Sequence, residues 1–236
     1  MTAMLPAAGL GESLARLIRS EALSASTIEL ARRDVVYGCL DRDRSMYLVE
    51  QGQVKAIVPS REGKECLLNI HTVGDVFGEL CLVGQGRTET VTAMTPVVLR
   101  RMSATKVLAA MSDAGLREEF VCYMAGRMFE QQQLIAGLVT EDSEYRLAAV
   151  LLHLGRKLGR REAHLLRIGE KITQEELAAM VGTTRSRVGF FLKRFRNAGL
   201  VDRAGDCFMV VHEPRLRAFM VEGYRAHPLA GHTMAA

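Results

Sequence analysis

The chain lacks tryptophan altogether and has five cysteines and six histidines in 236 residues. The cysteines (39, 66, 81, 122 and 207) form no Cys-x-x-Cys pair and no cluster, which reads as reduced, packed thiols rather than a disulfide framework. The histidines (71, 153, 164, 212, 227 and 232) are dispersed. They offer no metal-ligand spacing and no nucleophile–base–orienter set, so neither a metal site nor an enzyme is expected. No run of about 18 apolar residues occurs, so nothing reads as a transmembrane helix and no membrane partner is expected. The opening MTAMLPAAGLGESLA lacks a basic start and is broken by Pro6, Gly9 and Gly11. It is a poor signal peptide, is expected to be a loose leader, and implies a cytoplasmic protein.

What is present is a globular composition, 48% hydrophobic and 25% charged. The length suits one large domain or two small ones. The net charge of +4 conceals a division. From Arg146 onward there are 16 Lys and Arg against 8 Asp and Glu, whereas the first 145 residues carry 15 against 19. An acidic front half with a basic back half suggests a sensor joined to a polyanion binder, although a basic face alone can be merely solvated.

Residues 11 to 31 show helical spacing through Leu14, Leu17, Ile18, Leu23, Ile28 and Leu30. Short apolar runs with glycine turns then follow, at Glu50-Gln51-Gly52, Arg61-Glu62-Gly63 and Val73-Gly74-Asp75. They predict an antiparallel sandwich or barrel. SATKVLAAM reads as a short helix, and a long helix is expected from about Asp113 to Val139. In it Val121, Met124, Met128, Gln131, Ile135 and Leu138 step by three and four, the spacing of a coiled-coil dimer seam or of one amphipathic helix lying on the barrel. The polar TEDSEY marks a hinge at 140–145, followed by helix from about Arg146 and a basic loop, GRKLGRREAH. The expected division is 1–112 for the N-terminal helix and barrel, 113–139 for the dimer helix and 140–145 for the hinge. Residues 146–222 form a DNA-binding domain and 223–236 a flexible tail.

The segment ITQEELAAMVGTTRSRVGFFLKRF fits a helix-turn-helix. Thr173 and Glu176 form a capping box. Leu177, Ala178 and Val181 face inward, Gly182 supplies the turn, and Thr184 can cap the second helix. Val188, Phe191, Leu192 and Phe195 share a buried stripe. Ser186, Phe190 and Lys193 then point outward. Arg185, in the first turn, is placed to read guanine. Phe190 suits a thymine methyl or a neighbouring protein surface. Arg187, Lys193, Arg194 and Arg196 read as phosphate contacts. Thr173, Gln174, Thr183 and Thr184, at the two helix starts, complete the DNA-facing set. LVDRAGDCFMVV reads as a two-stranded wing turning at Arg203-Ala204-Gly205.

The stretch GDVFGELCLVGQGRTETVTAM resembles the phosphate-binding cassette of the cyclic-AMP receptor protein and fumarate–nitrate regulator (CRP/FNR) family. The resemblance runs through residues 34 to 213 in both motif and element order. It implies an α+β fold: an N-terminal antiparallel jelly-roll β-barrel of the cyclic-nucleotide-binding type, a long dimerisation helix and a C-terminal winged helix-turn-helix. It also implies a homodimeric transcription factor acting on inverted-repeat, double-stranded DNA, with RNA polymerase as a further partner. In the cassette Gly78, Glu79 and Leu80 open a short helix whose free N–H groups suit a phosphate. Arg87 adds a bidentate cation, Thr88 a hydroxyl, and Glu79 an acceptor for a ribose hydroxyl. Gln131 and Gln132 stand where the family's cyclic-AMP binder has an adenine-contacting Thr-Ser pair.

There are departures from that binder. The step from Glu79 to Arg87 is shorter, and Glu89 replaces a small residue beside the phosphate. Ser186 and Phe190 replace a base-reading glutamate and arginine, so the operator should differ. Cyclic AMP or another cyclic nucleotide is the expected effector. A different effector, and DNA binding without any ligand, stay open. No iron–sulfur cysteine cluster occurs at the N-terminus, and no His or Cys points to haem.

Overall fold

The computed structural model describes residues 8–59, 65–84, 86–203 and 208–226. The expected turn at 61–63, most of the wing turn (Ala204-Gly205), Cys207 and the end of the expected tail lie outside the described residues. The chain divides into two compact units, Met1–Ile135 and Ala136–Ala236.

The first unit opens with α1 (Ala8–Arg19), whose Leu10 and Leu14 are buried. The loose leader expected through residue 15 is thus helical from Ala8. The helical spacing read through residue 31 also fails beyond α1. Ile28 and Leu30 lie in β1 (Ser26–Leu30), which pairs with β8 (Val97–Ser103). Between them come β2 (Val35–Tyr37), β3 (Ser45–Gln51), β4 (Val54–Pro59), β5 (Glu65–His71), β6 (Val76–Phe77) and β7 (Thr90–Ala93).

These strands form two four-stranded antiparallel sheets, ordered β1-β8-β3-β6 and β2-β7-β4-β5. The expected barrel is therefore an open pair of sheets rather than a closed ring. Alternation along β3 explains the layering. Tyr47 and Val49 enter a core shared with Val54 and Val91 of the other sheet. Met46 and Leu48 enter a second core with α1, α2 (Ala104–Ala110) and α3 (Ala114–Thr140). Both faces of β3 are covered, which is why it reads as a continuous apolar run.

The second unit holds α4 (Ser143–Leu158), β9 (Arg160–Glu162), β10 (Leu165–Ile168), α5 (Gln174–Val181), α6 (Arg185–Asn197), β11 (Val201–Asp202), β12 (Met209–His212) and α7 (Glu213–Ala226). Of the stretch 140–145 expected as a hinge, only Glu141 and Asp142 are non-helical, because the Asp142 carboxylate accepts hydrogen bonds from the Glu144 and Tyr145 amides and starts α4 early. The basic stretch read as a loop is instead the end of α4 followed by β9. The two expected wing strands, β11 and β12, pair antiparallel, and β10 and β9 extend them into a four-stranded sheet, β11-β12-β10-β9. Part of the expected tail, 223–226, belongs to α7.

Candidate functional site

The cassette follows β6 directly. Gly78 takes a left-handed conformation (φ 84°) and leads into a short 3-10 helix, Glu79–Val83. A side chain at Gly78 would meet Arg87 Nη1 at 3.0 Å and the Ser45 carbonyl at 3.1 Å, so glycine is required for space as well as for φ. Arg87 is 2% exposed. Its Nη1 donates to the Gly78 carbonyl at 2.7 Å, and its Nη2 donates to the Ser45 carbonyl and pairs with Asp43 at 3.4 Å. The guanidinium lies 4.1 Å above the Tyr37 ring. Nε has no hydrogen-bond partner among the described residues.

Asp43 anchors this network. Burial opposes its ionisation, but hydrogen bonds from Arg101, Tyr47 and Ser45 outweigh that and hold its carboxyl below the usual range. Glu79 is buried and faces Arg127 of α3, Oε1 to Nε 3.6 Å. One turn earlier on α3, Tyr123 is buried and donates to the Val76 carbonyl at 3.0 Å, which fixes that face of the helix on the cassette side. Leu80 and Thr88 are exposed. Arg127, Asp43 and Tyr37 were not singled out from sequence. The i, i+4 step from Tyr123 to Arg127 is the one signal that could have found the first.

The long helix has a second, uncovered face. Val121, Met128 and Ile135 are 60%, 59% and 62% exposed. With Ala125, Gln132 and Val139, also exposed, they step by four, three, four, three and four. Met124, read as part of the seam, is instead partly buried against the core of the first unit. Gln131 and Leu138 lie to the side of this stripe and are exposed. The methyl of Leu138 approaches the turn glycine Gly182.

In the second unit the capping box is complete. Thr173 accepts from the Glu176 amide, and the Glu176 carboxylate accepts from the Thr173 amide. Gly182 is left-handed (φ 67°) and ends α5. Thr184 accepts from the Arg187 amide and caps α6. The hydroxyls of Thr173 and Thr184, assigned to DNA, are therefore engaged as caps. Gln174 lies across α6, where a side chain at Gly189 would meet its Oε1 at 3.3 Å. Gly189, a residue without a side chain in the middle of the basic, aromatic α6, is the sequence sign of this close crossing.

Val188, Phe191, Leu192 and Phe195 are buried. Arg185, Ser186, Arg187, Phe190, Lys193 and Arg196 are exposed, and Thr183 is half-buried. Arg185 pairs with Glu175 at 2.9 Å, an exposed bridge. Arg194, expected to be a phosphate contact, pairs with Glu144 of α4 at 2.8 Å. Arg146 of α4 donates to the carbonyls of Val181 and Glu141, tying the end of α5 to the segment after α3.

Among the described residues no cluster of His, Cys, Asp and Glu is placed to hold a metal ion, and no helix is long and apolar enough to cross a membrane.

Residues 27–114 match the family model of the cyclic nucleotide-binding domain, and residues 145–219 that of the Crp-like helix-turn-helix domain. The chain is 28% identical over 191 residues to the CRP-like cAMP-activated global transcriptional regulator of Mycobacterium tuberculosis (strain H37Rv), covering 80% of this chain and 85% of that one. A transcriptional regulator of the CRP/FNR family from Thermus thermophilus superposes with a TM-score of 0.67 at 26% identity, over 83% of this chain and 98% of that one. The fold is also that of the c-di-GMP responsive global regulator CLP of Xanthomonas campestris, with a TM-score of 0.67 at 19% identity, over 84% and 98% of the two chains.

Proposed function

The chain belongs to the CRP/FNR family of transcriptional regulators, and from that premise we propose that it binds inverted-repeat DNA as a homodimer under the control of a cyclic mononucleotide held in the cassette. The DNA-binding regulator is common ground with its relatives; the effector is the finer reading. The observation that carries it is Arg87, a buried guanidinium whose Nε has no partner among the described residues, set between the left-handed Gly86 and Thr88. A buried, charge-assisted donor of this kind suits a phosphate. Glu79, held by Arg127, supplies the acceptor for a ribose hydroxyl. Gln131, one turn beyond Arg127, and Gln132, on the exposed stripe, offer a base both donor and acceptor. The Mycobacterium relative is described as cAMP-activated, which favours the same class.

A second reading, regulation without a cyclic nucleotide, is favoured by one feature. Arg87 already satisfies Gly78, Ser45 and Asp43, so the cassette holds its shape with its own acceptors. Calorimetry with cyclic AMP, cyclic GMP and cyclic di-GMP separates the two. Saturable binding of a mononucleotide supports the first reading, and no binding of any supports the second.

On DNA, Arg185 is the proposed base reader. Its bridge to Glu175 is exposed, and such pairs contribute only about 0–1 kcal/mol, so guanine can displace the carboxylate. Arg185→Ala should cost about 1–3 kcal/mol and relax preference at one G·C pair. Arg196→Ala should weaken all sequences alike and flatten the salt dependence. Phe190, 60% exposed, is proposed to meet a thymine methyl. Binding titrations across a set of single-base operator variants, at two salt concentrations, check these assignments. Equal losses on every site for Arg185→Ala would remove it as a reader.

A further inference from the structure

Glu89 stands at the edge of the same cradle. It precedes β7, and its Oε1 accepts a hydrogen bond from the Tyr37 hydroxyl at 2.8 Å. The Tyr37 ring is the one on which Arg87 lies. Tyr37 from β2, Glu79 from the 3-10 helix, Arg87 from the following loop and Arg127 from α3 are the charged and titratable groups whose fields reach Glu89. Two carboxylates therefore share a half-buried site with two guanidiniums, and Asp43 takes part of the charge of one of them. A phosphodiester entering beside Arg87 brings a further negative charge into this cluster.

We infer that Glu89 is a proton-linked specificity residue: the cradle accepts a cyclic phosphate with Glu89 in its neutral, protonated form, and ionised Glu89 opposes the anion. This rests on the cyclic-nucleotide reading above. The environment agrees with the geometry. Burial is the main cause that raises the Glu89 carboxyl above its ordinary value; the Tyr37 hydrogen bond opposes this and Glu79 adds to it. Burial and Glu89 push the Tyr37 phenol far up, so it remains a hydrogen-bond donor throughout. The sign follows. An anion raises the carboxyl further, so binding takes up a proton in the window between the free and bound values. Affinity then falls as pH rises through that window, by at most about tenfold per pH unit for one proton.

The test is calorimetric titration of the full-length protein with cyclic AMP from pH 5.5 to 8.5, in two buffers of different ionisation enthalpy. It is run on the wild type and on Glu89→Gln, which keeps the shape and an acceptor for Tyr37. The expected result is uptake of up to one proton by the wild type, weakening with pH, and no uptake by the variant. At the alkaline end the variant should bind roughly tenfold to a hundredfold more tightly, the scale of one like-charge contact at intermediate dielectric. Binding by the variant alone would also support the inference, with Glu89 acting as an exclusion gate. Wild-type binding without proton uptake, or uptake that persists in Glu89→Gln, overturns it while leaving the nucleotide reading intact. No binding by either protein at any pH overturns both.

Discussion

Aspartate in place of Met128 should turn a dimeric regulator into folded monomers. The Met128 side chain is 59% exposed in the single chain, so the substitution removes little from its own unit; surface changes of this kind stay within about 0.5 kcal/mol. At a two-fold seam the same change places two carboxylates against apolar partners without a counter-charge, which costs several kcal/mol. Monomers lose the linkage between their two reader helices, and with it roughly 10²- to 10⁴-fold in affinity for a palindromic site. Sedimentation velocity and operator titration measure both effects. A Met128→Asp protein that remains dimeric with unchanged operator affinity removes the exposed stripe of α3 as the seam. Charge at Met124 is a useful contrast, because that side chain packs inward and its replacement should unfold rather than dissociate.

Leucine at Arg87 should abolish nucleotide binding and also loosen the first unit. Two carbonyls, Gly78 and Ser45, lose a charged donor, at about 1–3 kcal/mol for each group left short. The stacking on Tyr37 goes too, so a destabilisation of at least about 2 kcal/mol is expected. The dual role distinguishes Arg87 from Thr88, which is exposed and can be removed without such a cost. Thermal melting with and without cyclic AMP reads both consequences. A variant that melts like the wild type and is still stabilised by nucleotide contradicts both roles.

The helix-turn-helix was legible because its rules are local. The capping box, the left-handed Gly182 and the 3-1-3 stripe from Val188 to Phe195 lie within one short stretch and depend on helical spacing alone. The strands were legible as a class but not as a closed or open arrangement, which depends on pairings between distant segments. Ile28 and Leu30 show the failure most plainly. Their spacing continues that of α1, yet β8 claims them as a strand, and tertiary pairing overrides a local pattern. The register of the apolar stripe on α3 likewise depends on tertiary packing. Heptad spacing admits both Met124 and Ala125, and only the packing of Phe120, Tyr123 and Met124 into the core decides which face is left open.

In the cassette, Gly78, Glu79 and Arg87 could be named from the motif, and Glu89 stood out as a departure from it. Their partners could not. Asp43 and Ser45 approach Arg87 from the start of β3, Tyr37 from β2 and Arg127 from α3, contacts that only the folded chain creates.

The claim that joins the two halves is that occupation of the cassette changes how tightly α6 reads DNA. An effector can shift that equilibrium only by its differential affinity for the two states, and such couplings run about 5- to 150-fold. The direct measurement is the operator dissociation constant of the full-length wild type, without nucleotide and at saturating cyclic AMP or cyclic GMP. A change of at least fivefold with one of them, absent in Arg87→Leu, is the predicted result. Tight, palindrome-specific operator binding that neither nucleotide alters would contradict it and leave a regulator that reads DNA without a cyclic-nucleotide signal.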